Sequence, residues 1–174
     1  MTDTKDWTWV LHERCPECGY DAAAIRPDQV ADHIRSDAEG WVSRLGGASV
    51  TGRPAPGVWS VLEYGCHVRD VHRIFGERVG LMLTEDEPVF PNWDQDETAL
   101  VERYADQMPA DVAAELARAA HEVADAYDAV PDDAWSRRGL RSNGSEFTVA
   151  SLSLYHLHDV VHHTWDVTTD SRGR

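Results

Sequence analysis

Four stretches of this chain carry apolar residues at the spacing of an α-helix. None shows a persuasive alternation of the kind a half-buried strand requires. The first stretch runs from about Pro27 to Leu45, with Val30, Ile34, Trp41 and Leu45 on one stripe and Pro27 suited to the opening turn. Gly46, Gly47 and the Gly/Pro-rich segment to Gly57 break it. The second begins at Ser60, where Ser60 and Glu63 form an S-x-x-E capping box, and continues through Val68, Val71, Phe75 and Val79 to about Leu83. The third covers about Ala110 to Val130, rich in Ala, Glu, Leu and Arg, between Pro109 and Pro131. The fourth runs from about Thr148 to Val167. The connections at about 84–97 and 131–146 are long. The first reads as an irregular crossing followed by a short helix from about Glu97 to Asp106, and the second as room for a small hairpin turning at Asn143-Gly144. The expected fold class is all-α, a four-helix bundle with long crossover connections. Residues 1–26 read as an N-terminal extension, 27–170 as the bundle and 171–174 as a frayed tail.

The chain is long enough, at 174 residues, to bury a single core. Its formal net charge of −15 argues against a phosphate backbone as partner. No apolar run approaches the length of a membrane span, and the N-terminus lacks the basic start and apolar centre of a signal peptide, so a cytoplasmic protein is expected. Three cysteines cannot build a disulfide scaffold. Cys15 and Cys18, in C-P-E-C-G, have the spacing of a zinc knuckle or a redox pair. A closed zinc site needs four ligands. His12 could join the two thiols, but the local sequence offers no fourth group. A turn with two reduced thiols, a half-site completed by another chain and a reversible disulfide all remain open.

The titratable groups concentrate in Tyr155–Val167, YHLHDVVHHTWDV. Residues four apart share a helix face, so either Asp159 with His163 or His158 with His162 can offer two ligands to one ion. Both faces mix apolar and titratable groups, and periodicity does not choose between them. His67, on the second helix, is the leading third ligand. The set His67, Asp159 and His163 would leave a coordination position open for water or substrate, as catalytic zinc sites do. The same donors accept other divalent metals, with nickel, iron and manganese as alternatives to zinc. Trp41 and Cys66 read as core, Trp59 as a staple at the start of the second helix, and Trp93 as cover for the crossing. Asp70 reads as a surface charge or a partner of a ligand histidine. His33, His72 and His121 read as surface or packing residues.

WSVLEYGCHVRD resembles the second-helix segment of the DinB-like (YfiT-like) metal-binding four-helix bundle superfamily, in which Trp-Ser opens the helix and a histidine follows about two turns on. DVVHHTWDV resembles the family's fourth-helix segment, and Trp165-Asp166-Val167 is similar to the branch that includes the N-terminal domain of mycothiol-dependent maleylpyruvate isomerase. The likeness spans about 27–167. It implies His67, Asp159 and His163 as the metal ligands, with His158 and His162 as a competing register. Asp159 stands where the family has histidine or glutamate, and its shorter reach implies an ion nearer the helix or more weakly held. The resemblance also implies an activity: a metal-dependent S-transferase or isomerase using a low-molecular-weight thiol of the mycothiol or bacillithiol type, with an electrophilic small molecule as second substrate. The rival readings are a metal-dependent hydrolase and a non-catalytic, stress-responsive metal-binding module, with a homodimer open to either.

Overall fold

The computed structural model describes residues 6–170, with nothing described of the Asp170 side chain, so the tail read at 171–174 lies outside the described residues. Four long helices form the bundle: α1 (Val30–Leu45), α2 (Val61–Thr84), α4 (Pro109–Asp128) and α5 (Val149–Asp170). A short α3 (Gln95–Val101) and a single 3-10 turn at Tyr104–Asp106 divide the segment read as one short helix. Three of the four long helices begin where local chemistry satisfies or removes a free amide of the first turn. Ser60 Oγ accepts from the Glu63 amide at 3.2 Å, and the Ser60 amide donates to Glu63 Oε2 at 2.8 Å, completing the capping box at α2. Pro109 takes the first position of α4. At α5, Thr148 Oγ1 accepts from the Ser151 amide at 3.1 Å.

Around the bundle the helices run α1–α4–α2–α5. α4 packs along both α1 and α2, and α5 packs against α2 and α1, whereas α1 touches α2 only lightly. The sequence-consecutive pairs α1/α2 and α4/α5 thus lie across diagonals, so the links at 46–60 and 129–148 must cross an end of the bundle. α2 and α4 are neighbours, and the segment between them is long for another reason, since it carries a short strand, α3 and the 3-10 turn. Trp41, Ile34, Leu62, Phe75, Leu116, Leu152 and Leu157 fill the shared core. At its centre His72 Nδ1 lies 3.0 Å from His156 Nε2, and His156 Nδ1 lies 3.1 Å from Tyr127 Oη, a buried polar chain joining α2, α5 and α4.

Both long connections contribute to a three-stranded sheet that the sequence signalled only as a possible hairpin. β1 (Val89–Phe90) pairs parallel with β2 (Arg138–Arg141), which pairs antiparallel with β3 (Glu146–Thr148). Strands this short carry too few residues for a period to show. The turn falls at Asn143-Gly144 as expected, with Gly144 at φ +95°. Arg137 Nε donates to the Met82 carbonyl at 2.6 Å and ties the sheet to the last turn of α2. Between Thr8 and Gln29 the chain forms three short 3-10 turns that pack on α5. Among the described residues no helix is long and apolar enough to cross a membrane.

Candidate metal centre

α2 and α5 are neighbours, and their contact brings His67 to Asp159 and His163. One donor atom from each lies within 4.8 Å of the others. His67 Nε2 stands 3.5 Å, and His163 Nε2 3.3 Å, from Asp159 Oδ1. Two nitrogen and oxygen ligands about 2.1 Å from one ion at a tetrahedral angle stand about 3.4 Å apart. Both nitrogens of His67 and Asp159 Oδ1 are buried without a hydrogen-bond partner among the described residues. Buried polar atoms are seldom left so, and a shared cation would satisfy Asp159 Oδ1 and a His67 nitrogen together. The residues therefore fit a divalent metal.

The surroundings hold the ligands in place. His67 is stacked on Trp93, with ring centroids 5.1 Å apart and planes 3° from parallel. His163 Nδ1 lies 3.0 Å from Asp166 Oδ2, which leaves Nε2 facing the site. Burial disfavours a charged His163 ring, but Asp159 and Asp166 outweigh it and lift its pKa to about 9. Burial also opposes a charged Asp159, yet His163 and His67 hold its carboxyl well below the usual range. Burial presses His67 down, toward the neutral form that a metal requires.

The centre opens on a cavity of about 540 Å³ lined by Trp7, Phe75, Trp93 and Tyr155 among others. Arg78 and Arg141 also line it. Arg78 donates to the Pro91 carbonyl at 3.2 Å, and Arg141 to Asn143 Oδ1 and Ser145 Oγ. Among the described residues neither guanidinium has a carboxylate ion-pair partner. Burial and the neighbouring Arg141 bring the Arg78 pKa down to about 10.

The second register read on the fourth helix is occupied as well, by different partners. His158 and His162 meet Cys15 and Cys18, with one donor atom from each residue within 4.8 Å of the others. Two groups that the sequence left separate are one cluster within a single chain. His12 is exposed and takes no part. The pairs Asp159/His163 and His158/His162 are offset by one residue, so they point about 100° apart on α5, one toward α2 and the other toward the N-terminal segment.

The remaining expectations divide. Trp41 and Cys66 are buried in the core, and Trp59 packs at the start of α2 against Tyr64 and His67. His72 is a packing residue, while His33 and His121 are exposed. Asp70 is neither a surface charge nor a hydrogen-bond partner of His67. It is buried and accepts from Arg69, Arg73 and the Tyr104 hydroxyl. Asp166 shares a helix face with His163, one turn further along α5, where the sequence allows it to pair with a histidine, and the structure sets it behind that ring. The sequence reading missed Arg78 and Arg141, which no local pattern marks.

A search of curated proteins finds no match. Among solved structures, YfiT from Bacillus subtilis, described as a probable metal-dependent hydrolase with an unusual four-helix bundle topology, is similar at a TM-score of 0.71 and 21% identity. The likeness covers 84% of each chain, and at that identity it speaks for the fold. The family model of the DinB superfamily matches residues 31–167, which takes in α2 and α4 whole, nearly all of α1 and α5, and the three residues of the α2–α5 centre. The chain belongs to the DinB superfamily.

Proposed function

We propose that this protein is a metal-dependent enzyme in which His67, Asp159 and His163 hold a divalent cation, zinc first among the candidates, at the floor of the cavity. The observation that carries this reading is the convergence of the three donors, with His67 Nε2 and His163 Nε2 at 3.5 and 3.3 Å from Asp159 Oδ1 and buried atoms left without a hydrogen-bond partner among the described residues. A divalent cation there would lower the pKa of an acid reaching its open position, so that a thiol or a water molecule becomes a nucleophile near neutral pH. Arg78 and Arg141 would orient an anionic group of the substrate, and partial burial strengthens that attraction. Trp93 and Trp7 would exclude solvent from the reacting atoms. Asp166 would keep the His163 ring in the tautomer that presents Nε2.

The first reading of the reaction is transfer of a low-molecular-weight thiol to an electrophile, supported by the sequence resemblance to the thiol-dependent branch. The second is hydrolysis, favoured by the similarity to YfiT. Zinc-loaded protein, screened for thiol consumption with carboxylated electrophiles and separately for hydrolysis of anionic esters and amides, should turn over one class. His163→Ala should abolish that turnover. A loaded protein that retains its zinc equivalent in the Asp159→Ala variant would remove the ligand assignment on which both readings stand.

A further inference from the structure

We propose that Cys15, Cys18, His158 and His162 form a second, closed metal site that binds zinc and fastens the N-terminal segment to α5. Four protein ligands fill a tetrahedral zinc and leave no open position, which marks a structural site rather than a catalytic one. The donor set is the Cys2His2 combination, and all four donor atoms already converge. Cys15 Sγ lies 3.7 Å from His162 Nδ1. A sulfur and a nitrogen on one tetrahedral zinc stand about 3.6 Å apart by ordinary bond lengths.

Three further observations point to a ligand. His158 is 4% exposed, and its Nε2 is buried with no partner among the described residues. The turn that presents the thiols is already formed. The Gly19 amide donates to the Cys15 carbonyl at 3.0 Å, the Cys15 amide donates to the Tyr20 carbonyl at 2.8 Å, and Gly19 takes φ +77°, a conformation that suits glycine. The outward nitrogen of His162 has a carboxylate behind it, with Nε2 at 3.3 Å from Glu17 Oε2. Ligand histidines commonly have such a partner on the nitrogen that faces away from the ion. Both cysteines are free thiols here, so no disulfide competes for the sulfurs. On binding, each thiol would release its proton to solvent and donate an electron pair from sulfur, two protons leaving for each zinc.

The consequence reaches the cavity. Trp7 packs against His158 and His162, with ring centroids 5.7 and 5.2 Å away, and lines the cavity above the α2–α5 centre. Asp166 stands behind a ligand of each centre, at 3.0 Å from His163 Nδ1 and 3.9 Å from His162 Nε2. The closed site thus holds one wall of the cavity to the helix that carries the open one.

The test is a cobalt(II) titration of the reduced, metal-free full chain, followed by absorption. Thiolate-to-cobalt charge transfer reports sulfur ligation, and the His67, Asp159 and His163 centre has no sulfur to produce it. The band should appear in the native protein and saturate by two equivalents, since the His67, Asp159 and His163 centre can take up cobalt without contributing to it. It should persist unchanged in His67→Ala and be lost in Cys18→Ser. Persistence in His67→Ala separates this site from the proposed function, since the band is independent of whether the other centre is catalytic. Zinc added to the cobalt form should abolish the band. Absence of the band in the native protein would overturn the proposal with no variant required, as would an undiminished band in folded Cys18→Ser.

Discussion

Asp159 is the one carboxylate among the three donors of the α2–α5 centre, and it lies between two imidazoles that each approach the same oxygen. Asp159→Asn keeps the shape and removes the charge, so it should weaken metal binding at that centre while thiolate-to-cobalt absorption stays intact. Asp166→Asn should act more gently, lowering affinity roughly 10–100-fold through the orientation of His163. Competition with a chromophoric chelator measures both, and unchanged affinity in Asp159→Asn would refute its role. The buried pair His72 and His156 sets a pH dependence of its own. Burial presses the His72 pKa from 6.5 to about 3, and that of His156 well below its ordinary value. Between those limits the unfolded chain takes up protons that the folded core refuses. Stability from this source is therefore complete above pH 6.5 and drains as pH falls toward about 3. Urea midpoints should decline over that window, and more steeply in the native protein than in His72→Leu. Equal slopes would show that the pair does not contribute.

Elements meet where small or capping residues permit it. Ser60 both accepts from and donates to Glu63 at the head of α2, and Glu63 is also ion-paired with Arg53. Ser60→Ala should cost about 1–2 kcal/mol in urea unfolding, because the helix that presents His67 then loses a buried cap. Gly139 lets β2 lie against the end of α2. A Cβ there would stand 2.8 Å from Met82 Cγ and 2.9 Å from Phe90 Cε1. Gly139→Ala should destabilise by about 1–3 kcal/mol through overpacking, and a neutral result would mean that the sheet can shift freely. α5 is the most heavily used element. One stripe of it faces α2 with Asp159 and His163, and the next faces the N-terminal segment with His158 and His162. The sequence displayed both stripes with equal clarity because an i, i+4 pair is a local property of any helix.

At the scale of the whole molecule, the two proposed metal sites on one helix would make fold stability depend on metal. A ligand that binds only the folded state at about 100 times its Kd adds about 2.7 kcal/mol, which for a chain of this size corresponds to a Tm change of roughly 5–10 °C. Removing metal with a strong chelator should lower Tm by that order, and zinc should restore it. A Tm indifferent to chelation would count against both centres. The charge distribution is also a property of the whole. The chain is strongly acidic, yet the cavity beside the metal centre is lined by two arginines without carboxylate partners among the described residues. Asp6, Asp94, Asp159 and Asp166 line the same cavity, so its field is mixed in sign, and Arg78 and Arg141 are the groups in it that suit an anion.

Local chemistry was enough to place the four long helices, their caps and breaks, and the two ligand pairs of α5, since each depends on residues within a turn or two of one another. The chemistry of bundles put His67 forward as the third ligand, and the resemblance to the superfamily strengthened that link to the fourth helix, which no local period contains. Only the tertiary structure decided which pair meets which partner. Cys15 and His162 are 147 positions apart, and they meet because the N-terminal segment folds back along α5. Likewise the sheet that carries Arg141 to the cavity forms between connections about fifty residues apart, through strands too short to leave a pattern. Helical periodicity specifies a face, but the order in which helices surround the core specifies what that face meets.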